Sequence, residues 1–138
     1  MDKVKTKFAL VTGGSRGIGK AICYQLAKDS EYHILINYNS NKESAEQTLK
    51  LVEGEGAKGE IIQFDVADAA QVNKAFEGFY ERNPEAVIEV IVNNAGINKD
   101  GLFMWMKPED WDSVMDTSVK GFYNVTNTLM QKLLVNKY

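Results

Sequence analysis

The eight residues Thr12-Gly13-Gly14-Ser15-Arg16-Gly17-Ile18-Gly19 carry the residue types best suited to hold a phosphate. Gly13 allows a tight turn and a close backbone approach to an anion. Gly17 leaves a helix start uncluttered, and Gly19 lets that helix pack closely. Ser15 adds a hydroxyl, and the Arg16 guanidinium matches a phosphate through two parallel hydrogen bonds. The spacing G-x-x-x-G-x-G differs from the G-x-G-x-x-G of many dinucleotide-binding loops and from the P-loop of nucleoside triphosphatases. The chemistry it suits is binding of a dinucleotide pyrophosphate. The plainer alternative is a helix-start turn with Arg16 as a solvated charge.

Further along, "INYNSNK" offers Asn37, Asn39 and Ser40, all neutral, with the first acid only at Glu43. NAD enzymes usually place an acid in such a region to bind the ribose 2′-hydroxyl. Its absence, together with Arg16, favours NADP(H), whose 2′-phosphate an acid would repel; Lys42 is a second cationic candidate. For reaction chemistry the sequence is sparser. The one histidine, His33, falls within a predicted strand, and Cys23 falls within a predicted helix, where a small buried thiol is the usual case. No His, Cys, Asp and Glu cluster has metal-ligand spacing, so no metal is expected. Two Tyr-x-x-x-Lys spacings, Tyr24 to Lys28 and Tyr38 to Lys42, read as surface pairs. Trp105 and Met106 suit either a substrate cleft or the core.

These residues must be positioned by alternating strands and helices. Apolar, β-rich runs cover 7–12, 32–37, 59–64 and 88–93. Helical faces are formed by Ile18, Ala21, Ile22, Gln25 and Leu26, by Ala45, Thr48, Leu49 and Val52, and by Val72, Ala75, Phe76 and Phe79. Asp68 is an expected N-cap, and Pro108 an expected first helical residue, with Glu109 and Asp110 at the positive end of the dipole. From there Trp111, Val114, Met115, Ser118, Phe122, Val125, Leu129 and Leu133 predict a core-facing stripe on one long helix. A second set, Val119, Thr126, Met130 and Leu134, widens it and hints at contact with another subunit. Near-continuous apolar strands alternating with helices predict an α/β fold, a Rossmann-like doubly wound parallel sheet in a single domain over 1–138.

Composition agrees. A chain of 138 residues, 44% hydrophobic, suits one core, and a net charge of −3 argues against a broad nucleic-acid-binding face. One cysteine excludes an intrachain disulfide, and no apolar run approaches the ~18 residues of a membrane span. A cytoplasmic setting without membrane or nucleic-acid partners is the expectation.

"TGGSRGIG", "FDVAD" with Asp65 and Val66, and "NNAG" (Asn93, Asn94, Ala95, Gly96) occur in order after the first, third and fourth predicted strands. In that order and spacing the chain resembles the short-chain dehydrogenase/reductase family. The block "NAGINKDGLFMWMKPEDWDSVMDTSVKGFYNV" is similar to its branch that reduces 3-oxoacyl thioesters on acyl carrier protein, and to acetoacetyl-CoA reductases. The resemblance implies that Asp65 and Val66 hold the adenine and that Asn93 to Gly96 line the nicotinamide ribose. It also implies NADPH-dependent reduction of a 3-oxoacyl thioester in fatty acid synthesis. Acyl carrier protein is a candidate partner, met for instance by Lys132 and Lys137, and a homo-oligomer, tetrameric in full-length relatives, is implied. Family members use a Ser and a Tyr-x-x-x-Lys after a fifth strand, with an Asn on the long helix that holds a proton-relaying water. None of the Ser, Tyr and Lys matches here, and Ser118 stands at the Asn position. By resemblance the fold stops after the fourth strand and its long helix, and the isolated chain is expected to bind cofactor without turnover.

Overall fold

The computed structural model describes residues 4–97 and 101–135, with side chains to Leu133. Four parallel strands are built from the four apolar runs: β1 (Thr6–Val11), β2 (His33–Tyr38), β3 (Gly59–Gln63) and β4 (Ala86–Val92). Their order in the sheet is β3-β2-β1-β4. Register pairs Leu10 with Leu35 and Ile91, and Asn37 with Ile62. Each link between successive strands runs through a helix: α1 (Gly17–Asp29), α2 (Lys42–Gly54) and α3 (Ala69–Arg82).

Alternation along the strands sends side chains to two cores. On one face Ala9, Val11, Ile34 and Ile36 pack with Cys23 and Ala27 of α1 and Val52 of α2. On the other, Phe8, Leu10, Leu35, Phe64 and Ile88 pack with Val72, Phe76 and Phe79 of α3 and with Val125 and Leu129 of the last helix. Phe8 meets Phe79 edge to face, with ring centroids 5.1 Å apart. Burying each such ring is worth about 1.5–3 kcal/mol. Side chains cap the starts of α2 and α3. Asn41 accepts from the Ser44 N–H at 3.0 Å, and Asp68 accepts from the Gln71 N–H at 3.1 Å, as expected for Asp68.

The expectation of one long helix with a core-facing stripe needs correction. Pro108 does open helix α4 (Pro108–Met115), but a single π turn, Asp116–Lys120, separates it from α5 (Gly121–Val135). A π turn inserts an extra residue, so the apolar spacing before it rotates out of phase with the spacing after it. Val125 and Leu129 are buried, whereas Trp111, Met115 and Phe122 are exposed. Ser118 is exposed as well, and Val114 and Leu133 are half-buried. Of the second set, Val119 and Met130 are exposed and Thr126 is half-buried; the side chain of Leu134 lies outside the described part.

Candidate cofactor site

All three motifs gather at the carboxyl end of the sheet. The glycine loop leaves β1 and enters α1 at Gly17, with Gly13 at φ 63° and Gly17 at φ 57°, the left-handed region that glycine adopts without strain. Gly19 does allow a close approach, but its near neighbours are within the site itself. A Cβ there would overlap the Gly13 carbonyl oxygen and lie 2.6 Å from Asn94 Nδ2.

Polar side chains hold this loop from three sides. Thr12 Oγ1 accepts hydrogen bonds from the N–H groups of Asn94 and Ala95, each at 3.0 Å. Asn94 Nδ2 donates to the carbonyl oxygens of Thr12 and Gly13, both at 3.1 Å. On the β2 side, Asn37 Oδ1 accepts from the Gly13 N–H at 3.0 Å, and the Asn37 carbonyl accepts from the Gly14 N–H at 2.9 Å. Asn37 Nδ2 donates to the Phe64 carbonyl at 3.1 Å. Asn37 is buried, with its amide satisfied by backbone at both ends. These bonds give the Asn37 amide a role in holding the Gly13 turn. From α2, Thr48 Oγ1 lies 3.2 Å from the Ser15 carbonyl oxygen.

The remaining residues fall into two groups. Arg16, Gly17, Ile18, Asn39, Ser40, Asn93 and Gly96 are exposed around the rim. Asp65 and Val66 follow β3: Asp65 Oδ1 accepts the Ala67 N–H at 2.9 Å, and the Val66 carbonyl accepts from Asn124 Nδ2 at 2.9 Å. Asn124 and Gly121 were not expected here. Asn124 is buried on α5, and a Cβ on Gly121 would lie 2.6 Å from Val66 Cγ2, so the last helix seats directly on the Asp65–Val66 loop. A small cleft is lined by Thr12, Val66, Asn93, Ala95, Thr117, Ser118, Gly121 and Phe122. Ser118 thus sits on the π turn facing the Asn93–Gly96 loop; its Oγ lies 3.7 Å from where a Gly96 Cβ would be.

A family model described as short chain dehydrogenase matches residues 7–138. The chain belongs to the short-chain dehydrogenase family. It is 40% identical over 129 residues to the 3-oxoacyl-[acyl-carrier-protein] reductase FabG of Staphylococcus aureus, covering 94% of this chain and 51% of that one. It is 33% identical to the 3-oxoacyl-[acyl-carrier-protein] reductase of Synechocystis, over 99% of this chain and 54% of that one. Among solved structures it matches a gluconate 5-dehydrogenase of Burkholderia cenocepacia in complex with NADP and tartrate. The TM-score is 0.83 at 31% identity, covering 97% of this chain and 51% of that one. The chain spans about half the length of the curated relatives it matches.

Within this short-chain dehydrogenase, the lysines of the two Tyr-x-x-x-Lys spacings take other surroundings. Lys28 lines a cleft of about 390 Å³ at the opposite, amino end of the sheet, together with Ser30, Tyr32, His33 and Lys58. Lys42 pairs with Glu46 at 4.0 Å on the α2 surface. His33 stacks edge to face on Phe8 at 5.1 Å, and burial, helped by the charge of Lys58, lowers its pKa. Cys23 is buried, and desolvation pushes its thiol up to about 12, far from a nucleophile's range. No group of three or more His, Cys, Asp and Glu suited to a metal occurs among the described residues. No helix among them is long and apolar enough to cross a membrane. Trp105 is exposed and Met106 half-buried, so neither belongs to the core; Lys137 lies outside the described residues.

Proposed function

We propose that the chain is the cofactor-binding half of an NADPH-dependent reductase acting on a 3-oxoacyl thioester carried by acyl carrier protein. The product would be the 3-hydroxyacyl thioester of fatty acid synthesis. One observation carries the reading: the glycine loop is locked from three sides while the start of α1 is left bare. No side chain caps α1, no acid lies in its first turn, and Arg16 makes no ion pair among the described residues. Uncapped N–H groups beside an unpaired guanidinium fit the phosphates of NADP(H).

In this reading Gly17, Ile18 and Gly19 offer N–H groups to the pyrophosphate, with Gly13 and Ser15 shaping the turn. Arg16, Asn39 and Ser40 hold the 2′-phosphate, Asp65 and Val66 flank the adenine, and Asn93, Asn94, Ala95 and Gly96 line the nicotinamide ribose. Bound NADPH supplies the hydride. Ser118, open to the same cleft, takes the place at which relatives hold a relay water. None of the Ser and Tyr-x-x-x-Lys group of relatives lines the cofactor cleft among the described residues, so the role assigned to these residues is cofactor binding and not turnover. The likeness to a gluconate 5-dehydrogenase supports a second substrate reading, a small ketone without a carrier. The exposed apolar side chains of Trp111, Met115, Val119, Phe122 and Met130 support a homo-oligomer.

Fluorescence titration with NADPH and NADH tests this. Arg16→Ala should weaken NADPH at least about tenfold and leave NADH nearly unchanged. Equal weakening overturns the 2′-phosphate assignment, and no signal up to millimolar NADPH overturns cofactor binding. Turnover of acetoacetyl-CoA by the isolated chain overturns the binding-only assignment.

A further inference from the structure

Thr48 is fully buried on α2, yet its hydroxyl is spent on a loop 33 residues away. Oγ1 lies 3.2 Å from the Ser15 carbonyl and 3.3 Å from the Ser44 carbonyl. The Ser44 carbonyl is already engaged in the helix ladder, four residues before Thr48. The Ser15 carbonyl has no other donor among the described residues, so the hydroxyl proton serves it best. The position of Ser15 matters because Arg16 follows it directly. The position of Thr48 matters because the same helix, capped by Asn41, begins right after Asn39 and Ser40.

We propose that Thr48 is a positioning residue for cofactor choice, fixing the distance between Arg16 and the Asn39–Ser40 turn through one hydrogen bond to Ser15. This rests on the reading of Arg16, Asn39 and Ser40 as the 2′-phosphate site. A rigid helix carries the constraint from its second turn to its first. The pyrophosphate end of the loop is held separately, by Asn37 and Asn94. Removing the Thr48 hydroxyl therefore loosens the 2′-phosphate end and leaves the rest of the cradle in place.

The experiment measures dissociation constants for NADPH and NADH in the wild type, Thr48→Val, Thr48→Ala, Thr48→Ser and Arg16→Ala, with thermal melts alongside. The expected result is a NADPH-over-NADH preference reduced about three- to tenfold in Thr48→Val and Thr48→Ala, matching the loss of one buried hydrogen bond. Thr48→Ser should keep the preference. Unchanged preference in a folded Val or Ala variant overturns the proposal, as does equal weakening of both cofactors. If neither variant folds, the hydroxyl is a general stabiliser and the proposal also falls. Arg16→Ala separates the two layers: if it leaves the preference intact, the underlying 2′-phosphate reading fails too. If it abolishes the preference while Thr48→Val does not, only the role of Thr48 fails.

Discussion

Asn94 Nδ2 lies 3.1 Å from the carbonyl oxygen of Gly13, so a side chain after the fourth strand closes the turn after the first. The same nitrogen also reaches the Thr12 carbonyl at 3.1 Å. Asn94→Ala should leave both acceptors short of a donor and cost about 1–3 kcal/mol, read from urea denaturation. Because the turn is held and not the 2′-phosphate, NADPH and NADH should weaken in equal proportion. A variant as stable as the wild type would contradict this role.

Two glycines of one loop should behave very differently. Gly19→Ala drives a methyl into the Gly13 carbonyl and should cost about 3 kcal/mol or more. Gly17→Ala has no neighbour within 4 Å but sits at φ 57°, so its cost should be only the left-handed strain of about 1–2 kcal/mol. Melting curves of the two variants, ranked in that order, check the geometry.

His33 titrates below its ordinary range because burial and Lys58 both disfavour its charged form. The folded chain therefore prefers the neutral imidazole. That contribution is present above the unfolded value of 6.5 and is lost as pH falls through the lower folded value. The pH dependence of stability below 6.5 should be shallower in His33→Phe than in the wild type. Identical acid limbs would argue against it.

Cys23 should resist a thiol reagent at pH 8 in the folded chain and react at once in urea. Its raised pKa also sets an alkaline window. Stability contributed below the ordinary value of 9.0 is lost as pH rises from 9.0 toward about 12, since only the unfolded thiol ionises there. Cys23→Ala should flatten that limb in a comparison of denaturation midpoints at pH 8 and 10.

Much of this arrangement is legible in the sequence. The parallel sheet follows from short apolar runs separated by helical periods, and the glycine loop is a local spacing with a local cause. The contacts that make the loop rigid were not readable, because they join residues distant in the chain. Asn37 reads as a ligand contact in the sequence, and the fold also brings its amide against Gly13, 24 residues away. Thr48 reads as an ordinary apolar-face residue, and Asn124 stands in none of the three motifs although its Nδ2 donates to the Val66 carbonyl. Thr12 read as the strand's last residue and turned out to bridge two motifs. The π turn is not legible in the sequence because one extra residue leaves no mark in a stripe that stays apolar on both sides.

The chain has two tryptophans, Trp105 at 75% and Trp111 at 50% exposure, while the buried rings are phenylalanines. Indole emission from the native protein should therefore already be that of a wet chromophore, and unfolding should barely shift it. Circular dichroism must follow the core. The same placement turns the indoles into energy donors. In a domain with a radius of gyration of roughly 14 Å, a reduced nicotinamide seated against the Asn93–Gly96 loop lies within transfer range of both. Quenching of this emission becomes an optical readout of occupancy that is nearly blind to folding.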